Sequence, residues 1–214
     1  MITIKNLCVK YTKEFYALYA VSLNVKKGEA VALLGEEDSG KTTLLRVLAG
    51  LEKSYEGEVY LKDISLKKID YSCDVEIGYI PAKPIFFEKK TVYENLKYLL
   101  KIRKFSKPEI EDKINELLIN FNLEKIRDEK VKNLSLFQKY VLSIARLSFR
   151  NLEIVLIDDI FSKLNEEENL SIQNLISKQY LQTKTTLLVA TTQKEIASSL
   201  AKRTVKFKLG SIEN

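Results

Sequence analysis

Histidine and tryptophan are absent from this 214-residue chain, cysteine occurs twice, proline three times and glycine only seven times. Without an imidazole no ordinary side chain titrates near neutrality, so a serine triad, a histidine general base and a His-liganded metal are all excluded. Cys8 and Cys73 stand far apart and form no CxxC pair, which reads as two reduced thiols in a cytosolic setting and leaves zinc without a ligand set. Long apolar runs are missing too. The purely aliphatic stretches over 30–34 and 154–157 fall far short of the roughly 20 residues that cross a membrane, and Met1-Ile2-Thr3-Ile4-Lys5-Asn6 lacks the apolar run of a signal peptide. The expectation is a chain that neither spans a bilayer nor enters one.

What remains is the composition of a globular protein, 45% hydrophobic and 30% charged, with chain enough for a buried core. The formal charge of +6 comes from 35 Lys plus Arg against 29 Asp plus Glu, interspersed as on solvated helix faces. No reader motif accompanies the charge, so no direct nucleic-acid partner is expected. Repeats, low-complexity tracts and Gly/Ser linkers are not found, which points to one continuous fold.

Strand-like segments near 1–10, 17–25, 29–34, 57–66, 75–80, 153–157, 185–190 and 203–209 alternate with helical ones. The apolar runs at 30–34, 154–157 and 186–190 read as strands buried on both faces, hence a parallel sheet covered by helices. The stretch over 88–149 is helical throughout. Thr91-Val92-Tyr93-Glu94 and Ser106-Lys107-Pro108-Glu109 are capping boxes, and Ile110, Ile114, Leu117, Leu118 and Phe121 then recur on one face. The expected organisation is a single domain over 1–214, an α/β core from 1–87 and 150–214 with a helical subdomain inserted at 88–149.

Gly35-Glu36-Glu37-Asp38-Ser39-Gly40-Lys41-Thr42-Thr43 fits G-x-x-x-x-G-K-[ST], and it follows an apolar strand and opens a helical run, as that motif requires. Its chemistry is phosphate binding. The backbone from Gly35 to Thr43, with Asp38, Ser39 and Gly40 inside it, would bring main-chain amides to the phosphates, Lys41 a mobile charge and Thr42 a hydroxyl for magnesium. Three carboxylates, Glu36, Glu37 and Asp38, would repel a triphosphate unless they point to solvent. The complementary acid stands at the end of another buried strand, Ile154-Val155-Leu156-Ile157-Asp158-Asp159: Asp158 would hold magnesium through water and Asp159 would either stand beside the attacking water or cap the loop.

With these residues in place the chain resembles the ATP-binding subunits of ABC transporters over nearly its whole length. Gly35 to Thr43 looks like the family's Walker A and Asp158 matches Walker B. Ile77-Gly78-Tyr79-Ile80-Pro81-Ala82 followed by Thr91-Val92-Tyr93-Glu94-Asn95-Leu96 is similar to the Q-loop region, and Leu134-Ser135-Leu136-Phe137-Gln138 stands at the signature position. The resemblance implies a P-loop NTPase core with a mostly parallel sheet, an antiparallel β subdomain and an inserted α-helical subdomain. It also implies ATP with Mg2+ as ligands, Tyr11 stacked on adenine and Ser135 as a nucleotide contact, although Ser135-Leu136-Phe137-Gln138 equally fits a plain helix start. Partners implied are a transmembrane transporter subunit and a second ATP-binding cassette, a homodimer or, as the altered motifs favour, a heterodimer. The location implied is cytoplasmic, peripheral on the inner face of the membrane.

The departures fall on the chemistry. Ala82 replaces the Q-loop glutamine, Leu136 and Phe137 the signature glycines, Asp159 the catalytic glutamate, Asn165 the D-loop aspartate and Thr192 the switch histidine. Shortening glutamate to Asp159 retracts the carboxylate by about 1.5 Å, and misplacement on that scale costs on the order of a hundredfold in rate. Weak hydrolysis with retained binding is therefore expected, with Asp159 and Thr192 as the residual catalytic pair. A non-hydrolysing regulatory module and a soluble ABC ATPase acting on nucleic acid or ribosomes are the alternatives. Ile85-Phe86-Phe87 suits either a membrane-partner contact or the core.

Overall fold

The computed structural model describes residues 1–12, 14–71 and 74–213, so Cys73 lies outside the described residues. Cys8 is a half-buried free thiol on the first strand.

Ten strands and six α-helices are named here in chain order: β1 (Ile2–Lys10), β2 (Tyr16–Val25), β3 (Ala30–Leu34), α1 (Lys41–Leu48), β4 (Glu56–Leu61), β5 (Ile64–Ser65), β6 (Ile77–Ile80), α2 (Val92–Ile102), α3 (Lys107–Asn120), α4 (Leu136–Ser148), β7 (Ile154–Asp158), α5 (Glu166–Ile176), β8 (Thr186–Thr191), α6 (Lys194–Leu200), β9 (Arg203–Lys208) and β10 (Ser211–Ile212). They form two sheets. β2-β1-β4-β5 is antiparallel, and β10-β9-β3-β8-β7-β6 is parallel except for its β10 edge.

The continuous apolar strands are explained by two-sided burial. Val155, Ile157, Leu187 and Val189 face the cluster built by α2 to α6, whereas the intervening Ile154, Leu156, Leu188 and Ala190 face a second cluster built by α1 and the antiparallel sheet. Neither face of β7 or β8 meets water, so the period-2 signal of a half-exposed strand is erased. β1 and β4 keep the alternation because one face is solvated.

The helix starts expected at Thr91 and Ser106 are present: Thr91 Oγ1 accepts from Glu94 N at 3.1 Å, and Glu109 accepts from Ser106 N at 2.8 Å. A further capping box at Asn165 and Glu168 opens α5. The strand expected over 57–66 is two, β4 and β5, parted by a turn in which Lys62 and Asp63 both take positive φ. β10 was not anticipated. It folds back on β9, and its Gly210 donates to Ser39 O at 3.1 Å, which braces the loop ahead of α1 from behind.

Leu156 is fully buried between the sheet and α1. Leu156→Ala should cost about 2–5 kcal/mol. Urea unfolding followed by circular dichroism checks this, and a loss under about 1 kcal/mol would mean the two-sided core is not the main source of stability.

Candidate phosphate-binding site

Between β3 and α1 the chain makes a tight loop that only glycine allows at two points. A Cβ at Gly35 would lie 2.3 Å from Phe207 O on β9, and at Gly40, where φ is +102°, it would lie 2.7 Å from Ala17 O on β2. The loop is thus pressed against both sheets, and Gly35 N also donates to Thr191 O at the end of β8, at 3.3 Å. No side chain caps α1 at Gly40, so its first amides are left for a ligand.

Lys41 and Ser39 are buried inside the loop. The Lys41 ammonium donates to Gly35 O at 2.7 Å, to Glu36 O at 2.6 Å and to Ser39 Oγ at 3.1 Å. Burial pulls its pKa down, opposed by the charges of Asp159, Asp158, Glu36 and Asp38. Glu36, Glu37 and Asp38 are exposed, which removes most of the repulsion that their sequence positions threatened. Asp38 alone of the three borders the cavity described next, with a strained φ of 57°.

A cavity of about 630 Å³ opens on this loop. It brings together Asp38, Ser39, Gly40, Lys41, Thr42 and Thr43 with Tyr11, whose hydroxyl lies 3.1 Å from Thr43 Oγ1 while its ring stays half exposed. Three lining residues escaped the sequence reading: Ala17 on β2, Phe15 and Arg46. Phe15, whose carbonyl accepts from Tyr11 N at 3.2 Å, puts a second aromatic at the mouth, and Arg46 lies one helical turn beyond Thr42 on α1. A hairpin of two aromatics four residues apart and an i, i+4 relation were the available signals.

Asp158 ends β7 and is 1% exposed. Thr42 Oγ1 donates to its Oδ1 at 2.8 Å and Tyr79 OH to its Oδ2 at 3.0 Å. Burial raises its carboxyl above the usual range, and the two hydroxyls, Lys41 and Arg46 oppose this. Burial and the Asp158 charge raise the Tyr79 phenol well above 10, so it stays a donor. Hydroxyl and carboxylate oxygens side by side are the hard donors that suit a magnesium ion keeping several of its waters. Among the described residues no cluster of three or more His, Cys, Asp or Glu forms an all-protein metal cage.

Asp159 follows with φ 41°, its amide donating to Ala190 O at 3.0 Å. Its Oδ1 is buried and has no hydrogen-bond partner among the described residues. Burial raises its pKa more strongly than Lys41 lowers it. Thr192 is half-buried directly after β8, next to the Thr191 carbonyl that holds Gly35.

Ser135 lies apart from this cavity. It caps α4, accepting from Gln138 N at 3.2 Å and donating its own amide to Gln138 Oε1 at 2.9 Å, and it borders a separate hollow of about 740 Å³ with Val141 and Leu175. Leu136 and Phe137 are half-buried against the helical core, so their bulk is largely absorbed by the protein itself. Ala82 contributes only its carbonyl, which accepts from Tyr140 OH at 2.5 Å. The two readings of 85–87 divide: Phe86 packs on the core beneath the Arg146 guanidinium, whereas Ile85 and Phe87 are exposed, the Phe87 ring edge-on to Tyr98.

Comparison with known proteins adds the following. A family model described as ABC transporter matches residues 18–162. The methionine import ATP-binding protein MetN of Clostridioides difficile is 31% identical over 99% of this chain and 67% of its own length. The probable sulfate/thiosulfate import ATP-binding protein CysA of Chlorella vulgaris is 32% identical over 99% of this chain and 89% of its own. Several other curated relatives are longer, and the chain spans 57% of the CysA protein of Halalkalibacterium halodurans. Among solved structures, a dimeric bacterial ABC transporter cassette superposes with a TM-score of 0.88 at 30% identity, covering 100% of this chain and 97% of the other. A dimeric post-hydrolysis cassette bound to ADP and phosphate gives 0.87 at 29%, with the same coverage.

The raised pKa of Asp159 has a consequence for stability. A carboxyl whose pKa rises on folding favours the folded state fully below its unfolded value of about 3.9, and that contribution is lost as pH climbs through the folded value. Asp159→Asn removes the buried charge, so it should raise the melting temperature near about pH 7, with the gain shrinking as pH falls through the raised folded value. Thermal melts of both proteins across this range check it. An equal gain at every pH would show that charge burial is not the cause.

Proposed function

The chain belongs to the ABC transporter family, and on that premise we propose that it is an ATP-binding subunit that holds Mg-ATP between paired cassettes to drive or regulate a membrane partner, with weak hydrolysis of its own. The observation that carries the reading is the 2.8 Å bond to Asp158 from Thr42, which lines the cavity together with Tyr11. It joins the phosphate loop to the acid that would serve the metal.

The amides of Gly40 to Thr43 would take the phosphates, and Lys41 would trade its bonds to Gly35 O and Glu36 O for phosphate oxygens. Thr42 and Asp158 would hold magnesium, which supplies charge neutralisation for the triphosphate. Tyr11 would stack on the base. Asp159 would accept the proton of the attacking water: its raised pKa makes it a competent base, but its reach is one methylene short. Thr192 would offer a hydroxyl where an imidazole would reach further. Ser135 would act across a dimer, toward the nucleotide of the second cassette.

We read 1–214 as one ABC-type domain with its helices inserted at 88–149. The second cassette would be another chain, in a homodimer or, given the altered motifs, a heterodimer. The exposed Phe87 and Tyr98 rings, packed edge to face, and the exposed Ile85 and Ile102 are apolar side chains suited to a transmembrane subunit, which would keep the protein peripheral on the cytoplasmic face. Among the described residues no helix is long and apolar enough to cross a membrane. A nucleic-acid partner forms no part of the reading.

Lys41→Ala should weaken Mg-ATP binding by about 10- to 100-fold in titration calorimetry, the loss of a charge-assisted contact. Undiminished affinity would remove the phosphate-loop assignment. Restoring length and reach with Asp159→Glu and Thr192→His should raise ATP turnover of the assembled complex by on the order of a hundredfold. If turnover stays flat while binding persists, the nucleotide serves as structural support and the chain is a regulatory module.

A further inference from the structure

Each oxygen of Asp158 accepts from a different hydroxyl, Thr42 on Oδ1 at 2.8 Å and Tyr79 on Oδ2 at 3.0 Å. The first bond belongs to the phosphate loop. The second comes from β6, the strand paired with β7, and reaches an acid that is 1% exposed, so the tyrosine hydroxyl holds Oδ2 with little competition from water. The terminal torsion of an aspartate is soft and roughly two-fold, so one donor would leave the carboxylate free to swivel. Donors on both oxygens pin it. β6 then runs into Pro81 and Ala82, where the family's polar Q-loop side chain is missing, which leaves Tyr79 as the polar side chain that β6 brings to this acid.

We propose that Tyr79 is a positioning residue for the divalent cation: its hydroxyl fixes the rotation of Asp158 so that Oδ1 stays beside Thr42 and faces the hydrated metal. Partners that orient a metal-binding carboxylate typically account for a 10- to 100-fold factor in affinity. Because much of the cation's coordination would come from phosphates and water, the lower end is expected here. The inference rests on the reading that Asp158 serves the metal, and the test separates the two.

The unaltered chain, Tyr79→Phe and Asp158→Asn are titrated with Mn2+ in the presence of a non-hydrolysable ATP analogue, and free Mn2+ is read by electron paramagnetic resonance against the analogue alone. The same analogue is also titrated in EDTA. Measured above the binding of Mn2+ by the analogue alone, Tyr79→Phe should weaken Mn2+ binding by about 10-fold while leaving metal-free nucleotide affinity unchanged, and Asp158→Asn should remove that protein-dependent gain. A parallel fall of nucleotide affinity in EDTA would overturn the proposal, since Tyr79 would then support the loop and not the metal. Unchanged Mn2+ affinity in Tyr79→Phe, with the protein-dependent gain still lost in Asp158→Asn, would overturn the role of Tyr79 alone. A protein-dependent gain that Asp158→Asn leaves intact would overturn the reading of the site as well.

Discussion

One hydrogen bond, from the Thr42 hydroxyl to Asp158, closes a chain separation of 116 residues, and the rest of the site is arranged around it. It forms because β8 pairs with both β3 and β7. Leu34 aligns with Thr191 and Asp158 with Ala190, so the phosphate loop and the acid emerge at the same level of the sheet. Parallel strands place their carboxyl ends together, and ligands gather in the crevice just beyond them. Register in turn follows from burial on both faces: slipping β7 by one residue would exchange its two sets of apolar side chains and carry Asp158 away from Thr42. The geometry of the site is thus inherited from the core.

The loop solvates its own lysine. Three oxygens of residues 35, 36 and 39 surround the Lys41 ammonium, so the buried cation is satisfied by the protein itself. A triphosphate must replace those contacts with stronger, charge-assisted ones. Glu36 and Glu37 do not stand in the way, since they point to solvent, where screening shortens their range to about 8 Å. Asp38 faces the cavity and holds a left-handed φ, so it is the acid of the three whose charge a nucleotide would feel.

The sequence made legible whatever had a local physical signature. Three capping boxes, the glycine loop with its lysine, and the apolar strands that end at Leu34, Asp158 and Thr191 are short-range patterns, and each lies within a residue or two of its expected place. What escaped depends on contacts between distant segments. β10 is only two residues long and has no periodicity to detect, yet Gly210 braces Ser39. Phe15 and Arg46 lack a motif and become site residues only because the sheet and α1 turn them toward one cavity. Leu136 and Phe137 are bulkier than the glycines they stand in for, but the helical core takes up much of that bulk.

The features that would hold a nucleotide and those that would cleave it differ in how they tolerate change. Holding relies on backbone: amides at the start of α1, two glycines pressed on neighbouring strands, and a lysine long enough to re-aim. Cleavage would rely on side-chain reach at single positions, and on the proposed reading reach is what Asp159, Thr192 and Ala82 lack. Asp159 nevertheless keeps the hallmarks of a working position. It holds a strained φ of 41°, its amide is tied to Ala190, and one of its oxygens is buried without a partner among the described residues. On the proposed reading the weak point of this site lies in side-chain reach, and not in the fold that presents it.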